Sequence, residues 1–156
     1  MDNAHDNSNA IIRPPIAWAL AFIVGLGLDW LRPMPFVPAF MPAAWLGTII
    51  FACGFGLAIW AIVTIRQAGS RVETNMPTTT IVMDGPYRFT RNPIYVAMFL
   101  GQSGLAVGFN SLWLLLTLVP FYFVIRYGVV AREEAYLERK FASLYLDYKS
   151  RVRRWL

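Results

Sequence analysis

The chain has 156 residues, 57% of them hydrophobic, with a mean hydropathy of +0.48 and a formal net charge of +5. A soluble domain holds roughly 45–50% apolar residues, and so short a chain has too little interior to hide the surplus from water, so a bilayer is implied. The basic residues flank apolar runs, as they do where a chain grips a membrane rather than nucleic acid, and one cysteine (Cys53) and one histidine (His5, in the polar tail) leave no disulfide framework or cysteine metal site within the chain and no histidine expected as base or metal ligand.

In chain order, residues 1–12 read as a flexible polar tail ahead of a single domain over residues 13–156. The first apolar stretch covers residues 16–31. Asp2 and Asp6 precede it against one Arg13, and prolines follow it, so it does not read as a signal peptide. Prolines 33, 35, 38 and 42 then mark an interfacial loop, with Phe36 and Phe40 expected to dip into the headgroups. The second apolar stretch is 43–65. The loop over 67–92 has no helical periodicity and carries Thr78-Thr79-Thr80, Ile81-Val82-Met83 and a turn at Asp84-Gly85-Pro86. The third and fourth stretches, 94–109 and 112–130, are parted only by Asn110-Ser111 and should form a tight antiparallel hairpin.

A spanning helix needs roughly 17–25 residues. The second and fourth stretches meet that length; the first and third need help from their flanks or a thinner bilayer. Residues 131–152 read as an amphipathic helix, with Leu137, Phe141, Leu144, Tyr145 and Tyr148 on one face and Arg139, Lys140, Lys149 and Arg151 on the other. The expected fold is therefore all-α: an integral membrane protein with about four transmembrane helices plus a C-terminal amphipathic helix. With a cytoplasmic N-terminus, only Arg32 of the 14 Lys and Arg falls outside and only Arg126 within a span, as the positive-inside rule requires.

The polar chemistry gathers on that inner face. Asn92-Pro93 is a helix start, with a capping side chain followed by proline. Arg88 and Arg91 just before it, with the helix's free N–H groups, suit a carboxylate or phosphate; they equally suit anchorage to lipid phosphates. Glu134 projects onto the apolar face of the last helix, and Arg126 shares that stripe two turns earlier if the helix is unbroken. Such charges are costly near a bilayer unless paired or lining a polar cavity. Either a structural ion pair or a pocket for a ligand bearing both an ammonium and a carboxylate satisfies them. Tyr87, Tyr95, Tyr136, Tyr145 and Tyr148 lie at the same level, as an interfacial belt or as a wall against an aromatic or cationic ligand.

The run Gly85-Pro86-Tyr87-Arg88-Phe89-Thr90-Arg91-Asn92-Pro93-Ile94-Tyr95 resembles the signature of the isoprenylcysteine carboxyl methyltransferase family and its phospholipid methyltransferase relatives. About forty residues on, Glu133-Glu134, Leu137, Phe141, Tyr145, Tyr148, Arg151-Val152 and Arg154-Trp155-Leu156 resemble the family's second block. Both blocks, in order around a helical hairpin, are specific where either alone is weak.

The resemblance implies an S-adenosylmethionine pocket at the cytosolic surface, built from roughly residues 66–156. Tyr87, Arg91, Asn92, Pro93 and Tyr95 would form one wall and Glu133 and Glu134 the other, one carboxylate meeting the methionine ammonium. Arg91, Asn92 and Glu134 are the expected catalytic residues, and Arg126 the expected contact to the acceptor. That acceptor would be lipid-like or small and hydrophobic, bearing a carboxylate, thiol or amine and arriving sideways from the bilayer. No metal and no nucleic acid is expected, and the small four-span form implies a bacterial inner membrane. Many family members carry histidine where this chain has Asn92, so a base at that position is lost, which favours an acceptor that is already anionic or intrinsically nucleophilic. Arg153 stands where proline is common. The alternatives are an NADPH-dependent membrane reductase of the sterol-reductase type and a non-enzymatic membrane scaffold.

Overall fold

The computed structural model describes residues 10–70 and 78–156 and, among them, holds helices and no strand. Most of the expected polar tail, His5 included, and residues 71–77 of the expected loop lie outside the described residues. Among the described residues, three helices are long and apolar enough to cross a membrane: Pro14–Leu31, Ala43–Gln67 and Leu112–Arg151. The apolar helix Pro93–Gly108 is shorter, at 16 residues. The expectation of about four spans thus resolves into three long helices and a short one. The chain is an integral membrane protein.

Each helix has a local cause. Helix α1 (Pro14–Leu31) opens on two prolines, whose fixed φ suits a first turn, and ends at Arg32, which Pro33 pushes out of the helical region. Helix α2 (Ala43–Gln67) ends in a Schellman turn. Gly69 takes φ +71°, Ser70 N–H donates to Ile65 O at 3.1 Å and Gly69 N–H to Arg66 O at 3.1 Å. That turn places Ser70 in the wall of the candidate site. Helix α3 (Pro93–Gly108) packs along α2, their backbones approaching closely at glycines on both helices. A Cβ on Gly104 would sit 2.5 Å from the Phe51 nitrogen, and one on Gly54 would sit 2.8 Å from the Gly101 nitrogen. Small residues permit this approach, which dispersion and weak backbone contacts reward in lipid.

The hairpin at Asn110-Ser111 is as expected. Asn110 adopts φ 52°, and its Oδ1 accepts from the Phe36 and Val37 N–H groups at 2.8 and 2.7 Å, tying the proline loop to the hairpin. Ser111 caps α4 (Leu112–Leu116) by accepting from Leu114 N–H. A break at Thr117, three residues before Pro120, leads to α5 (Leu118–Phe123). A π-helical segment, Val124–Val130, then joins α5 to α6 (Ala131–Arg151), which carries the expected amphipathic sequence.

The core lies where α1, α3 and this long helix meet, at Ala17, Tyr95, Phe121, Ile125, Val129 and Val130. The flanks of α1 and α2 stay largely uncovered, exposing Ile23, Trp45, Phe55 and Trp60, as surfaces meant for lipid do. One face differs from its helical projection. Tyr136, Tyr145 and Tyr148 are buried but Leu144 is 51% exposed, because Ala142 breaks the helix at φ 44°, ψ −121° and rotates the turns beyond it.

Candidate active site

Pro86 starts a 3-10 turn, Gly85–Arg88, and Pro93 starts α3, so the intervening Phe89–Asn92 runs as a short non-helical stretch. The last residues of the chain complete it. Val152 is extended, and the tail folds back so that Arg91 N–H donates to Arg153 O at 2.9 Å. Two side chains secure the same tail: Thr90 Oγ1 and Asn92 Nδ2 both donate to Arg154 O, at 3.1 and 2.9 Å. Tyr148 Oη donates to Tyr87 O at 2.8 Å. The two sequence blocks therefore fold onto each other.

They enclose a cavity of ≈ 160 Å³. Tyr87, Arg91, Asn92, Pro93, Tyr95, Glu133 and Glu134, all expected as cofactor contacts, line it. Tyr136, Tyr145 and Tyr148 complete its aromatic wall, and Ile65, Ile81, Ile94 and Leu137 give it an apolar flank.

The two glutamates differ sharply. Glu134 is buried and takes Arg154 in a two-point grip, from Nε to Oε1 at 2.8 Å and from Nη2 to Oε2 at 2.6 Å; Arg91 Nη2 also reaches Oε1, at 3.1 Å. Burial opposes its charge, but the Arg154 hydrogen bond and the charges of Arg91, Arg154 and Lys149 outweigh it and hold Glu134 below the ordinary carboxylate value. Glu133 receives the Tyr95 hydroxyl at 2.8 Å. Burial, with the Glu134 charge, lifts it to about 7 against the pull of that hydrogen bond. Burial first, then neighbouring tyrosine or carboxylate charge, also raises Tyr87, Tyr145 and Tyr148.

Arg91 carries the feature most suggestive of a ligand. Its side chain is 7% exposed, yet Nε and Nη1 are buried with no hydrogen-bond partner among the described residues. Orphaned guanidinium donors in a cavity wall are expensive unless an anion meets them.

Three expectations are corrected. Asn92 stands at the helix start, but its side chain makes no capping bond and instead holds the C-terminal strap. Arg126 does not meet Glu134, because the π-helical segment around it breaks the 3.6-residue register; its guanidinium lies over the Tyr127 ring and not in the cavity wall. Arg88 is exposed and does not line the cavity beside Arg91. The residue that sequence reasoning missed as Glu134's partner is Arg154. It belonged to the resembling second block, but nothing in its spacing signals a chain reversal at Val152.

The profile of the phospholipid methyltransferase family matches residues 42–143, from the start of α2 into α6. The chain belongs to the phospholipid methyltransferase family. Family membership makes it a membrane methyltransferase. The match spans Tyr87 to Glu134 and stops short of Tyr145, Tyr148 and Arg154. A Haemophilus influenzae protein described only as uncharacterized is 52% identical over 48 residues, covering 30% of this chain and 73% of that relative. No solved structure matches the chain.

Proposed function

We propose that the chain transfers a methyl group from S-adenosylmethionine to a lipid-like or small hydrophobic acceptor, with the cavity facing the cytoplasm of a bacterial inner membrane. The observation that carries this reading is the pair of orphaned Arg91 donors beside a glutamate already fixed by two arginines. Arg91, Arg154 and Glu134 sum to one positive charge, which suits the methionine carboxylate against Arg91. Glu134 Oε2 has capacity beyond its one bond to Arg154, which suits the ammonium. Tyr87, Tyr145 and Tyr148 offer faces to adenine and to the sulfonium, for which an aromatic ring is a favourable neighbour. Pro93 shapes the wall, and Asn92 positions Arg91 by holding the strap.

S-adenosylmethionine supplies an activated methyl group, so the protein's work is to align the acceptor and exclude water. The apolar flank of Ile65, Ile81, Ile94 and Leu137 gives a hydrocarbon acceptor a dry approach. Arg126 keeps only the role of meeting an acceptor's anionic group at the membrane edge. The test is tritium transfer from methyl-labelled S-adenosylmethionine into the organic-soluble fraction of bacterial membranes carrying the protein. Wild type should label a product and Glu134→Gln should not; equal labelling by both would refute the assignment.

A further inference from the structure

From Ala131 to Val152 the sequence describes one uninterrupted helix. Leu137, Phe141, Leu144, Tyr145 and Tyr148 share an apolar face, and alanine, the strongest helix former, stands at 142. The structure instead bends the chain at Ala142, to φ 44°, ψ −121°. Those angles lie near the opening of a type II′ turn, about 60° and −120°, which glycine adopts freely and a residue with a Cβ adopts under strain. The bend also takes Leu144 off the apolar face and leaves it 51% exposed. One ion pair belongs to the bent form alone. Lys149 Nζ meets Glu138 Oε1 at 2.5 Å across the bend, whereas a straight helix would set residues 138 and 149 about 16 Å apart, beyond the reach of both side chains.

Backbone strain persists only where surrounding contacts hold it, and the chain past the bend is held. Tyr145 and Tyr148 wall the cavity, and the Tyr148 hydroxyl donates to Tyr87 O. Beyond them, Arg91 N–H pins Arg153 O and Asn92 Nδ2 pins Arg154 O. The cavity so closed, ≈ 160 Å³, is close to the roughly 150 Å³ that takes one benzene, and a ligand bearing a nucleoside is far larger. A wall has to move to admit it. Resting on the methyl-transfer reading, we propose that residues 143–156 are a gate hinged at Ala142. Bent and docked, the gate closes the cavity. Released, Ala142 relaxes to helical angles and the arm extends as the straight amphipathic helix that the sequence describes, with Leu144 back on its apolar face. Tyr145 and Tyr148 then leave the wall, so that cofactor enters and the thioether product leaves. One sequence thus has two discrete packings, the strain at Ala142 and the docking bonds opposing each other.

The test uses the full-length protein in detergent, with Cys53→Ser and spin labels on Gln67→Cys of α2 and Ser150→Cys of the arm, and reads their separation by pulsed dipolar spectroscopy. Both labelled positions are exposed. Without ligand, wild type should show two distances, and saturating S-adenosylhomocysteine should leave one. Ala142→Gly, free of the strain and a poorer helix former, should enrich that same distance at least about fivefold without ligand. It should slow S-adenosylhomocysteine dissociation by the same factor. Ala142→Val, whose branched side chain suits a positive φ least, should do the reverse. Glu138→Gln removes the pair that only the bent form makes and should shift the balance about twofold towards the straight one. A single distance, the same in wild type and in both Ala142 variants, would overturn the gate; so would faster dissociation from Ala142→Gly. Distances that respond to Ala142 while wild type binds no S-adenosylhomocysteine would leave the gate standing and sink the methyl-transfer reading instead.

Discussion

At the scale of single residues, the energetics of the site turn on how each buried polar group is matched. The Tyr148 hydroxyl donates to the Tyr87 carbonyl in a buried setting, so Tyr148→Phe leaves that carbonyl short of a partner. It should lower stability by about 1–2 kcal/mol, read from thermal unfolding in detergent. The two glutamates have opposite linkage to pH. Glu133 is raised from 4.5 to about 7, so between those values the folded state binds more protons than the unfolded one. Its contribution is therefore full below about pH 4.5 and is lost as pH rises through 7. Glu134 is lowered, so its contribution is present above its ordinary value and is lost as pH falls below it. A thermal-midpoint series should show Glu133→Gln flattening the decline between pH 5 and about pH 8; an unchanged slope would show that Glu133 titrates normally.

At the scale of elements, the contact between α2 and α3 depends on missing side chains. Gly104→Ala would drive a methyl to 2.5 Å from the Phe51 nitrogen, forcing the helices apart, whereas a methyl on Gly27 of α1 meets nothing within 4 Å. Gly104→Ala should cost about 1–3 kcal/mol, and Gly27→Ala should be neutral or slightly stabilising. Equal effects would mean that the close approach is not what holds α2. The spans were legible in the sequence because lipid demands long apolar runs, and proline and asparagine mark the turns between them. The π-helical segment was not. Val124–Val130 has no breaker at its start and reads as ordinary span, yet it moves Arg126 away from Glu134. Nor did Ala142 announce the kink that exposes Leu144, since alanine is the strongest helix former.

At the scale of the whole molecule, the site exists because the chain's last residues return to α3. Local patterns drew attention to Arg91-Asn92-Pro93 at a helix start and to the glutamate pair just past a span, and the family resemblance implied that the two would face each other across one cavity, whose lining includes both. What joins the walls is a tertiary event with no local signature: Arg154, some sixty residues from Asn92 in sequence, bonds to it through its carbonyl and grips Glu134 through its guanidinium. Removing residues 152–156 should therefore abolish ligand binding while the three long helices persist by circular dichroism. Retained binding would show that the strap is dispensable.

The most direct test of the central claim is calorimetric titration of the detergent-purified protein with S-adenosylhomocysteine, with NADPH as the control. Saturable binding of S-adenosylhomocysteine alone, abolished in a folded Glu134→Gln variant, is the predicted result. NADPH binding in its place, or S-adenosylhomocysteine binding that ignores Glu134, would contradict the account.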